Sequence, residues 1–323
     1  MPSKPVRQLL VAVAVFVVVA AGVAALLLTG RDRDAGPARP GNPPESTEPG
    51  APAEPGERVV VVKIDNVAPA RPQTGLTEAD AVFVEPVEGG LTRLAAVYST
   101  RLPPVVGPVR SARETDIDML AQFGRPTLAF SGAAPEILAL LQESPVDSAT
   151  SEQIPGAYFR EAARPLPHNL YVRPDQLPPG HGRSPARTFG TGPAPEGGRA
   201  SGEHTVRFPA ATYDFRWSAE QGRWLVALDG TPVESVGHGQ VGAATVVVQQ
   251  VPVRAGAHVE DVAGAVSPVA ETVGTGAVTV LRDGQEFEGT WSRPAAEAPT
   301  TFTTAGGEPL RVAEGPVWIL LVS

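Results

Sequence analysis

The chain has 323 residues, a formal net charge of -9, 34 Gly, 35 Pro and no Cys. The acidic balance excludes a general nucleic-acid binder, which needs a basic footprint. The missing Cys excludes disulfides, thiolate metal sites, a Cys nucleophile and a lipid-bearing N-terminal Cys, while 42% hydrophobic residues exclude wholesale disorder.

Lys4 and Arg7 precede an apolar run from Leu9 to Leu28, with no charge until Arg31. A helix needs about 20 apolar residues to cross a bilayer. The run predicts a single-pass, uncleaved anchor in residues 1–30 that leaves the bulk of the chain extracytoplasmic. Ala20, Ala21, Ala24 and Ala25 could instead supply a signal cleavage site. Residues 31–57 hold Pro, Gly and acid with little to bury, which predicts a disordered tether.

Residues 58–175 predict a domain of mixed α and β. Val59–Ile64 is a β-branched run suited to a buried strand. Ala81–Val87 and Leu91–Thr100 read as a hairpin around Gly89-Gly90, followed by a helix from Ser111, a strand over Thr127–Ser131 and a short helix over Pro135–Gln142. Residues 176–204 are a Gly/Pro-rich connection with room for one short helix.

Residues 205–323 predict a mostly antiparallel β domain, so the fold class as a whole is α+β. Tyr213, Phe215 and Trp217 alternate against Trp224, Val226 and Leu228, a hairpin with one aromatic face. Val278–Leu281 and Glu286–Trp291 flank Asp283-Gly284, a strong hairpin signal. Ala244–Val251, Thr300–Thr304, Pro309–Val312 and Val317–Val322 are further strands. The four tryptophans, Trp217, Trp224, Trp291 and Trp318, either fill this core or form an exposed docking patch.

The chemistry concentrates in the first domain. Arg110 and Arg113 flank Ser111, which has capping-box spacing to Glu114. Cations at a helix N-terminus oppose its dipole, and an anion would resolve the conflict. That anion is either a ligand phosphate or carboxylate, or an internal acid such as Asp65, Glu85, Glu88 or Asp116. Asp65 and Asn66 end the first strand, where α/β folds place ligand groups, and Arg71 and Gln73 follow in the loop. Arg93 shares a strand face with Leu91, Ala95 and Val97 and so needs a partner or a ligand, with Glu85 or Glu88 the economical partner. Two such acids could also serve as acid and base in glycosidic chemistry. His168 and Asn169 could bind a polar ligand, act as acid or base, or satisfy loop backbone. No nucleophile elbow, Walker loop or H-E-x-x-H is present, and no two His have close metal-ligand spacing. The expectation is therefore no metal, no cofactor and no assigned catalytic residue.

Several short stretches carry a family resemblance: KIDN (63–66), ARPQTGL (70–76), EAD (78–80), VEGGLTR (87–93), GPVRSAR (107–113) and PHNLY (167–171). GTWSRP (289–294), PTTFTTAGGEPLRV (299–312) and GPVWILLV (315–322) continue it. In this order they resemble the YerB-like family of bacterial lipoproteins, known as DUF3048, with N- and C-terminal domains. The resemblance implies an extracytoplasmic protein with an α+β domain and a β domain, and no established reaction. The chain departs from the lipoprotein pattern in lacking the lipobox Cys, which favours the helical anchor.

The residues together lead to the expectation of a membrane-anchored envelope protein that binds an anionic ligand through Asp65, Asn66, Arg71, Gln73, Glu85, Glu88, Arg93, Arg110, Ser111, Arg113, Asp116, His168 and Asn169. The alternatives are a hydrolase or transferase acting on cell-wall glycan or a lipid carrier, and a scaffold for wall-synthesis proteins.

Overall fold

The computed structural model describes residues 56–259 and 266–323. The Leu9–Leu28 run and nearly all of the tether lie outside these residues. Among the described residues no helix is long and apolar enough to cross a membrane. Folded structure starts one residue earlier than expected: Glu57 exchanges backbone hydrogen bonds with Gly182, and its carboxylate accepts the Ser184 N–H.

Strand predominates, and the helices are few and short. The elements are β1 (Val60–Ile64), β2 (Ala81–Pro86), β3 (Thr92–Tyr98), α1 (Thr115–Ala121), β4 (Thr127–Phe130), α2 (Pro135–Glu143), β5 (Asp147–Thr150), β6 (Tyr158–Arg160) and β7 (Leu170–Val172). They continue with α3 (Pro185–Phe189), β8 (Glu203–Phe208), β9 (Ala211–Ser218), β10 (Arg223–Leu228), β11 (Thr245–Gln250), β12 (Val253–Val259) and β13 (Val266–Ala270). The last are β14 (Gly274–Arg282), β15 (Gln285–Arg293), β16 (Thr301–Thr304) and β17 (Val317–Val322).

Strands from both halves of the chain join one 11-stranded sheet, which runs β15-β14-β11-β17-β2-β3-β1-β4-β5 with short additions at its edge. Pairing within residues 205–323 is mainly antiparallel. β17 is the exception: it runs parallel to β11 on one side and to β2 on the other. Its sequence, VWILLV, is buried at every position, as a central strand covered on both faces must be. The Asp283-Gly284 turn forms as read, with φ of 53° and 70° at the two residues. Pro309–Val312 makes only isolated bridges, to Thr303 and Thr191.

The alternation of β1 sorts its side chains between two cores. Val60, Val62 and Ile64 face a smaller five-stranded sheet built on β8, β9 and β10. Val61 faces the helices, against Met119 and Leu120 of α1 and Ile137 and Leu141 of α2. The small sheet contributes the aromatic hairpin in the expected register, with Tyr213 opposite Leu228, Phe215 opposite Val226 and Trp217 opposite Trp224. Tyr213 and Phe215 each lie 6.4 Å from the Trp318 ring of β17. Trp224, Trp291 and Trp318 are buried and Trp217 is partly so, which removes the exposed tryptophan patch.

Candidate functional site

Backbone pairing assembles the site at the C-terminal end of β1. The segment after Val106 runs antiparallel to it: Asp65 N–H donates to Pro108 O at 2.9 Å, and Arg110 N–H donates to Lys63 O at 2.8 Å. The same segment reaches outward to β7, with Val109 N–H on Leu170 O at 2.6 Å. Gly107 permits this approach, because a Cβ there would lie 2.6 Å from Tyr171 Cδ1 and 3.0 Å from Leu170 O. The stretches KIDN, GPVRSAR and PHNLY are thus stitched side by side.

The outer layer centres on Asp65. Its Oδ2 accepts from His168 Nδ1 at 2.7 Å and forms an ion pair with Arg110, whose Nε lies 3.1 Å away. Asp65 is buried, whereas Arg110 and His168 keep 31% and 18% of their side-chain surface exposed. These two side chains form the solvent-facing rim.

Arg93 lies one step inward, on β3. It is 7% exposed. Its Nη1 donates to Ser111 O at 3.2 Å, and it has no ion-pair partner among the described residues. Burial pushes its pKa down to about 10, aided by the positive charges of Arg113 and Arg110 and opposed by Glu88 and Asp65. It remains a cation at neutral pH. Beside it the Ser111 and Ser131 hydroxyls sit 3.5 Å apart, brought together because Ser131 N–H donates to Arg110 O at 3.0 Å.

Beneath this rim the acids are taken up internally. Arg113 Nε donates to Glu88 Oε1 at 2.7 Å, and the Ser267 hydroxyl also contacts that oxygen. Burial would raise the Glu88 pKa, but the bonds from Arg113 and Ser267 outweigh it and hold the carboxyl below its usual value. Lys63 is fully buried between Glu85, which its ammonium touches, and Asp116, at 2.8 Å. Burial brings the Lys63 pKa down to about 8 against the pull of Asp116. Glu85 stands opposite Arg93 in the β2/β3 register, yet its ion pair is with Lys63 on β1.

Ser111 does not cap the helix. α1 begins at Thr115 with Glu114 in the cap position and no side-chain cap bond. Instead Asp116 Oδ2 reaches back to accept the Arg113 N–H at 2.8 Å, so the carboxylate arm of a capping box sits two residues later than the spacing of Ser111 and Glu114 predicts. The predicted conflict between arginines and helix dipole therefore dissolves, and the argument for an anion passes to Arg93.

The remaining predicted residues do structural work in networks beside the site. Asn66 Nδ2 donates to Thr92 Oγ1 at 2.9 Å and to Tyr213 OH at 2.6 Å, while Gln73 Nε2 donates to Asn66 Oδ1 at 3.0 Å. Arg71 donates through Nε and Nη2 to Asn66 O, and lines a cavity of about 300 Å³ with Gln73 and Glu234. Asn169 Oδ1 accepts from Arg160 at 2.7 Å and its amide donates to Arg164 O, which shapes the β6–β7 loop. The clusters at 65, 85–93, 110–116 and 168 therefore meet, whereas Asn66, Arg71, Gln73 and Asn169 belong to neighbouring networks. Sequence reasoning missed Lys63, Ser131 and Ser267. For Lys63 the signal was available: one ammonium inside a β-branched run needs a buried counter-charge. Among the described residues no group of three or more His, Asp or Glu side chains is placed to hold a metal ion.

The fold and site define a two-sheet β protein whose central strands end in an Arg- and acid-rich cluster. The description "Protein of unknown function (DUF3048) N-terminal domain" matches residues 47–184, and the corresponding C-terminal domain matches residues 204–319. The chain belongs to this DUF3048 family. It is 34% identical over 122 residues to the "Putative lipoprotein YerB" of Bacillus subtilis strain 168, an alignment that spans 37% of this chain and 36% of that one, so about a third of the relative's length. The crystal structure of the YerB protein from Bacillus subtilis shares the fold, with a TM-score of 0.67 at 20% identity, over 83% of this chain and 91% of that one.

Proposed function

We propose that this is a membrane-attached envelope protein that binds an anionic, phosphate- or carboxylate-bearing ligand between Arg110 at the rim and the buried Arg93 behind it. The attachment is supported by the Leu9–Leu28 run and by the lipoprotein name of the Bacillus relative. The observation that carries the binding reading is Arg93. A guanidinium withdrawn from water is costly unless paired and hydrogen-bonded, and this one has a single carbonyl acceptor and two positive neighbours. Its planar donor fork matches a phosphate or carboxylate. The half-exposed Arg110 and the hydroxyls of Ser111 and Ser131 complete a donor-rich seat, whereas Glu85, Glu88 and Asp116 serve to hold the surrounding cations.

The test is calorimetric titration of the full chain in detergent with inorganic phosphate and with acetate. The expected result is binding of at least one of the two, weakened about tenfold or more by Arg93→Met, as loss of a charge-assisted bond of about 1.5–3 kcal/mol implies. No binding of either anion, or equal affinity in the variant, would sink the reading.

A further inference from the structure

We propose that Asp65 and His168 form an acid–base pair that makes this anion seat a centre for phosphoester hydrolysis, an inference that rests on the binding reading above. Three observations carry it. First, Asp65 Oδ2 receives His168 Nδ1 at 2.7 Å and Arg110 Nε at 3.1 Å, so the imidazole and a cation converge on one buried oxygen. A carboxylate oxygen accepts, so Nδ1 carries the proton, and in the neutral ring Nε2 presents its lone pair. Second, Nε2 has no protein partner among the described residues, and the side chain keeps 18% of its surface in solvent. Third, the other acids of the cluster are bound to Lys63 and Arg113. Arg110 alone would pair Asp65 as those cations pair their acids, and a bond to an imidazole that reaches solvent adds what internal neutralisation does not need. An oriented imidazole beside anion donors is the arrangement that moves protons on a bound ester.

The step balances with water as the only co-reactant. His168 Nε2 takes a proton from a water molecule, and the water oxygen forms a bond to phosphorus. The bond from phosphorus to the ester oxygen breaks, and the proton on Nε2 passes to that leaving oxygen, giving an alcohol and a phosphate. Asp65 fixes the ring and stabilises the imidazolium. Arg93 and Arg110 hold the non-bridging oxygens and the charge that grows on them. Asp65 is a positioning residue and His168 the catalytic one.

The experiment uses the full chain in detergent with two chromogenic probes, p-nitrophenyl phosphate and bis(p-nitrophenyl) phosphate, and follows nitrophenolate release. Phosphate binding is measured in parallel by calorimetry. The expected result is turnover of at least one probe, lowered about 100-fold in kcat by His168→Ala and partly restored by added imidazole, with phosphate affinity changed less than about threefold. Rescue by imidazole separates lost chemistry from lost folding. A wild-type chain that binds phosphate but turns over neither probe overturns the acid–base pair and leaves the binding reading standing. So does a His168→Ala chain that keeps its full rate, or one that imidazole fails to rescue. If acetate binds and phosphate does not, the phosphoester proposal alone falls; if neither anion binds, both readings fall, since a phosphoester needs that seat.

Discussion

The two faces of β1–β3 solve the burial of polar groups in opposite ways. Towards the helices, Lys63, Glu85 and Asp116 form a fully buried ionic cluster. Towards the small sheet, Asn66, Gln73, Thr92 and Tyr213 form a neutral hydrogen-bonded network embedded among aromatic rings. The ionic side gains little net stability, because desolvation offsets much of the mutual attraction, but it depends steeply on every partner being present. The neutral side tolerates more. The charged face is also where Arg93 stays uncompensated, so a ligand can contribute there and not on the other face.

The largest expected contrast comes from Lys63→Met, which leaves two carboxylates buried without their shared cation. It should cost about 3–5 kcal/mol in urea unfolding, and a loss under about 1 kcal/mol would show that the cluster relaxes or takes up water. The wild-type pH response checks the same group. Its folded-state pKa is lowered to about 8 from 10.5 in the unfolded chain, so between those values the unfolded state binds the extra proton. Its contribution to stability therefore rises with pH through that window, and Lys63→Met should remove that rise. A smaller effect is expected opposite: Tyr213→Phe strips the hydroxyl from Asn66 and Thr92 and should cost about 1–2 kcal/mol, with thermal unfolding still cooperative.

The smallest effect concerns Glu88. Its pKa is lowered in the fold, so its contribution is present above the unfolded value near 4.5 and lost as pH falls through the folded one. Glu88→Gln should be less stable than wild type by about 1 kcal/mol at pH 7, and the gap should narrow as pH falls below 4.5, read from paired denaturation curves.

The short-range architecture was legible where one local pattern settles the structure. The Asp283-Gly284 turn needs positive φ at both residues, and the aromatic alternation of β9 and β10 admits one register. Alternation also put Arg93 on the face it occupies. It could not say which acid each cation would meet, because that depends on packing across three strands. Glu85 is opposite Arg93 yet bonds to Lys63, and Arg113 takes Glu88. The helix start was misplaced because Ser111 lies in a segment held by Gly132 and Lys63 carbonyls around it, while Asp116 in the first turn accepts the Arg113 N–H. The convergence of His168 on Asp65 rests on pairing between residues far apart in sequence, which no periodicity encodes.

The placement of β17 has a consequence for biogenesis. Ala81 pairs with Val317, so the edge of β2 stays open while the intervening chain is being made and is closed only when the final strand slots between two earlier ones. Until that strand arrives, β2 presents a row of unpaired N–H and C=O groups, a template for wrong pairing with another chain.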